Sequence, residues 1–506
     1  MIQRIIIVGV FVFSILTLNA QVYDMVVDAG GNGDYTTVQE AINAVPDNSS
    51  ARTRIYIKNG TYNEKVAISS SKIKVSLIGE SLEGVIITWA DHNEDGVMTT
   101  AESYTLWSDG EDSYLENLTI RNTAGSSAGQ AVALRTTGDK TIVNNCKLTG
   151  FQDTFYAHQN RQYIFKTYVN GGTDFVFGDA TAVLDSCNIE CLQGGSFISA
   201  PSDTKLVSSL TGEDGNKFTF YKGLQFRNCE IIAGVGVSDN SYYLARPWQP
   251  NASSVFITCK MGSHIKPIGW STWSNDNHLS GFYGEYHSMD LEGNAIDVSQ
   301  RADWSHQITD FNYKYYNPYS SIEGVISYPA FYRNVSLYPN GDYDWSPYDT
   351  LRSLSPPTGF YSGPLTVYWF GVDGAIGYAV YRDGEMIGFT ESNSFEDTSA
   401  SYHTTYQYTV RSIKNTGGIG DLSGSYSTVF YPTAVQKIVS APLRITVSKS
   451  ILSVSEPVEV TVYAITGQMV RKLDVSKSVD LGNLKGIFLI KATTKNNKTT
   501  LKRVII

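Results

Sequence analysis

One six-residue pattern recurs through the first half of the chain: apolar, any residue, polar, small apolar, polar, apolar. It reads Leu115-Glu-Asn-Leu118-Thr-Ile120, Val143-Asn-Asn-Cys146-Lys-Leu148, Leu184-Asp-Ser-Cys187-Asn-Ile189, Phe226-Arg-Asn-Cys229-Glu-Ile231 and Phe256-Ile-Thr-Cys259-Lys-Met261. A weaker copy is Ile164-Phe-Lys-Thr167-Tyr-Val169. The central positions 118, 146, 167, 187, 229 and 259 lie 28, 21, 20, 42 and 30 residues apart. A short strand alternating in and out at such intervals suits a parallel β-helix, because each coil leaves an apolar inner face that only the next coil can bury. The spacing therefore predicts an all-β fold built on a right-handed parallel β-helix. Four of the five cysteines take the central position, where a thiol serves as a small buried apolar group. Five is an odd number, and no CxxC pair or His/Cys cluster has zinc spacing, so neither disulfides nor metal are favoured there. Cys191 falls outside the ladder.

Asp34-Tyr-Thr-Thr-Val-Gln-Glu-Ala-Ile-Asn-Ala-Val45 carries apolar residues at helical spacing and stops at Pro46. It predicts one amphipathic helix capping the open end of the stack. Arg54–Lys58 and Val75–Ile78 read as the first strands. Ahead of them, Arg4 and the apolar run Ile5–Leu18 form an export signal over residues 1–20, cleaved after Ala20.

Polar groups interrupt the apolar pattern in three places. Gln130-Ala-Val-Ala-Leu134 is an alternating strand headed by a glutamine, and Gly150-Phe-Gln-Asp-Thr-Phe-Tyr156 sets Gln152 and Asp153 among aromatics. Thr173-Asp-Phe-Val-Phe-Gly178 places Asp174 before an aromatic strand. If positions 146 and 167 are one coil apart, so are Asp153 and Asp174, each seven residues further on. Neighbouring coils sit about 4.8 Å apart, so the two carboxylates would share one site. Two such groups near apolar side chains do not both ionise easily, and one pKa rises, which separates an acid from a nucleophile.

These segments resemble the pectin methylesterase family over roughly residues 22 to 350. The resemblance rests on Gly60-Thr-Tyr-Asn-Glu64, Gln130–Leu134, Gly150–Tyr156, Asp174–Gly178, Leu244-Ala-Arg-Pro-Trp248 and Gly269-Trp-Ser-Thr-Trp273, in the family's order. It implies that Asp174 is the nucleophile and Asp153 the acid, then the base. It also implies that Gln130 and Gln152 donate to the oxyanion and that Arg246 pairs with Asp174. Tyr156, Phe177, Trp248 and Trp270 match positions lining the family's sugar cleft, while Trp273 reads as core. Gly60, Tyr62 and Glu64 read as structural. The implied substrate is pectin (methyl-esterified homogalacturonan), with no cofactor and no metal. Ala245 and Thr173 depart from the residues common in the family, without removing a functional group.

Two motifs point elsewhere. Gly125-Ser-Ser-Ala-Gly129 has the serine-esterase pattern, but a strand rather than a helix is expected after it. Asp91-His-Asn-Glu-Asp-Gly96 with Glu102 fits a calcium loop, yet its flanks read as strands, so a solvated acidic loop is expected. Alternative readings of the whole are a polysaccharide lyase on the same fold, or a non-catalytic glycan-binding surface protein.

At 506 residues the chain needs more than one domain. Residues 351–357, containing Ser355-Pro-Pro-Thr358, read as a linker. Residues 358–432 hold short strands and the tight-turn signal Asp383-Gly384, and resemble a fibronectin type III module, a small β-sandwich. Residues 440–506 form a second small β-sandwich resembling the C-terminal sorting domain of type IX secretion, which implies outer-membrane secretion machinery as a partner. The expected product is a monomer, secreted or held at the cell surface. A net charge of −10 argues against a nucleic-acid partner, since phosphate binding needs a positive excess.

Overall fold

The computed structural model describes residues 22–94, 97–202, 207–211, 217–221, 223–274, 276–309, 321–322, 325–326, 345, 347–432, 443, 445–448, 450–455, 457–482, 484–495 and 499–505. The export segment, Asp95, Gly96 and Asp342–Asp344 lie outside them. One compact unit is Tyr23–Ser353, and a second begins at Leu354.

The first unit is a parallel β-helix with three faces. Its first sheet has 11 strands, its second 8 and its third 7, with strands of successive coils hydrogen-bonded in parallel. The six-residue pattern is not one strand, as the alternation suggested, but the end of one strand, a corner and the start of the next. Tyr114–Glu116 and Thr119–Asn122 flank such a corner, as do Thr141–Asn144 and Lys147–Thr149. The polar residue before each central position is left-handed: Asn117 at φ 58°, Asn145 at 48°, Lys166 at 47°, Ser186 at 56°, Asn228 at 49° and Thr258 at 50°. A residue at positive φ turns the chain sharply, and asparagine tolerates that region best among residues with a side chain. The corner stack is tied sideways, with the Asn145 amide donating to Asn117 Oδ1 at 2.7 Å.

Behind this row, Leu118, Cys146, Thr167, Cys187, Cys229 and Cys259 are fully buried, and all five cysteines are free. Cys191, unexplained by the pattern, is buried on the inner face of the second sheet, two residues past Ile189 and in register with Gly171 and Ala233. The one long interval, from 187 to 229, is accounted for by an antiparallel hairpin, Val207–Thr211 with Lys217–Tyr221.

The predicted cap helix spans Val38–Ala44, shorter than its pattern, and buries Val38, Ala41 and Ile42 in the core of the stack. Thr37 caps its first turn. Glu64 accepts from the N–H groups of Val38 and Gln39 at 2.8 and 2.9 Å, which neutralises donors the helix itself leaves unpaired. Glu64 is therefore structural, as is Tyr62, buried with its hydroxyl on the Lys58 carbonyl at 2.8 Å.

In the second unit all described strand pairs are antiparallel. Residues 361–429 form a three-stranded and a five-stranded sheet around Val367, Trp369, Val380, Tyr408 and Val410. Between Gly377–Arg382 and Glu385–Thr390 the turn residues Asp383 and Gly384 both have positive φ, 54° and 91°, as a tight hairpin of this kind demands. Residues 445–505 form a three-stranded and a four-stranded sheet with Leu452, Val460, Val462 and Ile490 inside.

Candidate active site

The third sheet carries the polar interruptions. Gln130, Gln152 and Thr173 are bridged in parallel on three successive coils. The strand expected to begin at Gln130 begins instead at Leu134, so Gln130 sits on a single bridge with the chain free to turn after it. Neither glutamine side chain hydrogen-bonds another described residue, so both amides retain their donors.

Phe155–Ala157 pairs with Thr173–Gly178 in the register Phe155↔Val176 and Tyr156↔Phe177, which sets Asp153 against Asp174. Both aspartates are left-handed, at φ 64° and 50°. Such backbone is costly for a residue with a side chain and is kept only where its surroundings over-determine it. Asp174 also lies in an irregularity: the pairing with Phe197–Pro201 shifts between Thr173 and Val176. Bulges of this kind re-aim a side chain out of strict alternation.

Arg246 follows the strand Tyr243–Ala245 and reaches back to Asp174 in a two-pronged pair, Nε to Oδ1 at 2.8 Å and Nη2 to Oδ2 at 2.5 Å. Its guanidinium is clamped between the rings of Phe197 and Trp273, each 4.0 Å away. The fork fixes both carboxylate oxygens, and the aromatic faces fix the fork. Asp153 makes no side-chain hydrogen bond to another described residue. Burial pushes its carboxyl well above the usual range, Asp174 adds to the rise, and Arg246 opposes it. Burial raises Asp174 too, but there the Arg246 hydrogen bonds and charge pull it back. Burial thus lifts both carboxyls, and Arg246 restrains the rise at Asp174 through a two-pronged pair that Asp153 does not share.

The floor beside the pair is a separate apolar cluster of Val132, Tyr156, Phe177 and Ala200, packed against Trp248, Trp273, Tyr104 and Ala101. Tyr156 and Phe177 stack at 4.1 Å, and Trp248 tilts against Phe177 at 6.0 Å. Burial moves the Tyr156 phenol up to about 12, so it stays neutral.

Eight of the nine residues singled out in the sequence come together here. Trp270 does not, and that expectation is corrected. It is 1% exposed, inside the main core, edge-on to Phe256 and Tyr283. Trp273, read from sequence as core, is the tryptophan that meets Arg246. The two indoles are three residues apart, and no local pattern tells which faces inward. Phe197, Arg135 and His158 were also missed. His158 had a signal, since it lies two residues past Tyr156 on the same strand face; the ring of Tyr156 stacks on it at 4.3 Å. We expect Trp270→Ala to cost about 3–5 kcal/mol of stability, read by chemical unfolding. Trp273→Ala should leave stability nearly unchanged and lower kcat/KM about tenfold, the scale of one lost cation–π contact.

The competing motifs resolve locally. Ser127 is exposed in a loop, and no helix follows it before the strand Leu134–Thr136. In the acidic loop Asp91 pairs with Lys65 at 2.5 Å, and Glu102 accepts from the Thr99 backbone and hydroxyl at 2.9 and 2.8 Å.

Comparison with known proteins gives a consistent picture. A family model described as Pectinesterase matches residues 24–324. Pectinesterase 2.1 of Solanum lycopersicum is 37% identical over 292 residues, covering 56% of this chain and 51% of that protein. Pectinesterase 31 of Arabidopsis thaliana is 34% identical over 294 residues, covering 56% of this chain and 87% of its own. Among solved structures, pectin methylesterase from carrot superposes with a TM-score of 0.53 at 30% identity, covering 60% of this chain and 93% of that one. The chain spans about half the length of the tomato relatives it matches.

Proposed function

The chain belongs to the pectinesterase family, and from that premise we propose that it hydrolyses the methyl esters of pectin to pectate and methanol through an aspartyl acyl-enzyme. One observation carries the reading: of two carboxylates on adjacent coils, Asp174 is held by both prongs of Arg246, and Asp153 forms no ion pair with any described residue. Ionised Asp174 attacks the ester carbonyl. Charge develops on the carbonyl oxygen, where the unengaged amides of Gln130 and Gln152 donate to it. Collapse of this intermediate breaks the bond to the methoxy group, which takes the proton of Asp153 and leaves as methanol. Asp153, now ionised, takes a proton from water as that water attacks the anhydride, freeing the substrate carboxylate and restoring Asp174. Tyr156, Phe177 and Trp248 supply ring faces against which sugars pack.

Incubation of the protein with highly esterified pectin tests this. We expect methanol and titratable acid to appear in equal amounts. A folded protein that binds the polymer and releases no methanol would leave the glycan-binding reading in its place.

The remaining assignments extend the proposal. A cleaved export signal over residues 1–20, a catalytic unit at 22–350 and a linker at 351–357 fit an enzyme whose substrate is an extracellular polymer. For 358–432, two antiparallel sheets around buried Trp369 support a fibronectin type III-like spacer. For 440–506, the sheet of Val458–Ala464, Met469–Val475, Ile487–Thr494 and Thr499–Ile505 supports a sorting domain for type IX secretion. The product on this reading is a secreted or surface-attached monomer.

A further inference from the structure

Beyond the strand Tyr243–Ala245, which ends the third sheet, the chain returns alongside it as residues 265–271. Bridges join Tyr242 to Ile265 and Ala245 to Trp270. Tyr242 to Ala245 is three steps and Ile265 to Trp270 is five, so the returning segment carries two surplus residues between its bridges. Such a surplus leaves backbone groups out of the ladder and re-aims the side chains that follow. Here the displaced carbonyls are taken up by Arg301 and its neighbour. Arg301 Nη1 donates to the carbonyls of Lys266 and Pro267 at 3.2 and 2.8 Å, and the N–H of Ala302 donates to that of Ile268 at 3.0 Å. Gly269 closes the bulge at φ 67°, and a β-carbon there would come within 2.6 Å of Arg301 Cδ. The bulged backbone is laid directly on the arginine side chain.

Arg301 is itself fixed. Its Nε and Nη2 donate to the two carboxylate oxygens of Glu285 at 2.6 and 3.1 Å. Glu285 stands in register with the core residue Phe256, is fully buried and also accepts from Ser288 at 2.8 Å. A buried fork-on-carboxylate pair resists displacement, because moving either ion leaves the other unpaired away from water.

We propose that Arg301 is a positioning residue for the esterase reaction: it sets the phase of residues 266–273, so that Trp270 turns into the core and Trp273 reaches the guanidinium of Arg246. Trp273 lies 4.0 Å from that guanidinium, and Arg246 holds both oxygens of Asp174. The link runs from Glu285 through Arg301 and two carbonyls to Trp273, then to Arg246 and the attacking carboxylate. All three nitrogens of the Arg301 guanidinium are engaged in holding Glu285 and the bulge, so its effect on the reaction passes through this segment. The inference rests on the pectin reading above, with Asp174 as nucleophile. A misplacement of about 1 Å in a group aligned for attack can cost up to ~10²-fold in rate, so a small shift of the clamp is measurable.

The test is a double-mutant cycle on kcat/KM for methanol release from highly esterified pectin, with rates taken per folded molecule. Arg301→Gln is introduced into wild type and into Trp273→Ala. In wild type it should lower kcat/KM about tenfold, the scale of losing the Trp273 contact itself. In the Trp273→Ala background the same change should lower it by no more than about twofold, because the contact it serves is already gone. Arg301→Gln leaves the Glu285 carboxylate buried without its partner. A second variant, Glu285→Gln with Arg301→Met, removes both charges together and carries the same comparison should the first not fold. Equal losses in the two backgrounds would overturn the proposal and leave Arg301 a purely structural residue. An undiminished rate in Arg301→Gln, or in Trp273→Ala, would overturn it with the esterase reading intact. A wild type that releases no methanol would overturn the esterase reading and this inference together.

Discussion

Asp174→Asn is expected to lower methanol release by at least ~10³-fold, the scale of removing a nucleophile while the remaining donors stay in place. The amide keeps the shape of the carboxylate, and one oxygen can still accept from Arg246. It cannot attack an ester, because its nitrogen lone pair is delocalised and its oxygen carries no charge. Arg246 stays clamped by Phe197 and Trp273, so the cleft should persist. Circular dichroism and pectin binding at wild-type strength would separate lost chemistry from lost structure. Undiminished release from the variant would remove Asp174 as nucleophile, and exposed Ser127 would then be the next residue to change.

Asp153→Asn should lower kcat about 10²- to 10⁴-fold, as expected for loss of a general acid, and should also make the protein more stable at neutral pH. The second half follows from the raised carboxyl. An aspartate in the unfolded chain titrates near pH ~3.9, whereas the folded protein keeps the Asp153 proton to higher pH. Between those two values the folded state binds more protons than the unfolded one, so wild-type stability falls as pH rises through the folded pKa. Asparagine has no proton to lose. Its advantage should therefore vanish below pH ~4 and grow as pH rises above it. Unfolding midpoints of both proteins across that range measure it, and equal midpoints at every pH would mean that Asp153 is not perturbed. In the rate profile, Asp174 must be ionised and Asp153 protonated, so wild type should give a bell whose two limbs belong to the coupled pair. The residual rate of Asp153→Asn should lose the alkaline limb.

The parts of the site legible in the sequence are those that a single coil period transmits. Spacing alone put Asp153 and Asp174 on neighbouring rungs, because coil length fixes which residues stack. Motif order then supplied Arg246, which is 72 positions from Asp174 in the chain and invisible to any local pattern. Other features were legible only in outline. The six-residue repeat marked where each coil turns, yet its alternation suggested one strand. Alternation and a left-handed corner leave similar traces in sequence, and only backbone φ separates them.

Trp270 and Trp273 mark the boundary most clearly. Both occur in one short motif, both are large and amphipathic, and transfer energy favours burying either. Their fates diverge because the strands around Trp270 close over it with Phe256 and Tyr283, while Trp273 meets a guanidinium whose place is set by Asp174. Arg135 belongs to the same class: its sequence shows a cation after an apolar strand, and its partners, His158 and the Ala101 carbonyl, come from neighbouring coils. The sequence by itself determined the coil period, the inward cysteine ladder, the capping helix and the adjacency of the two aspartates, since each is a matter of spacing along one chain. Tertiary structure decided which of these two tryptophans meets Arg246 and which carboxyl is lifted further, because burial and charge are sums over neighbours drawn from many coils.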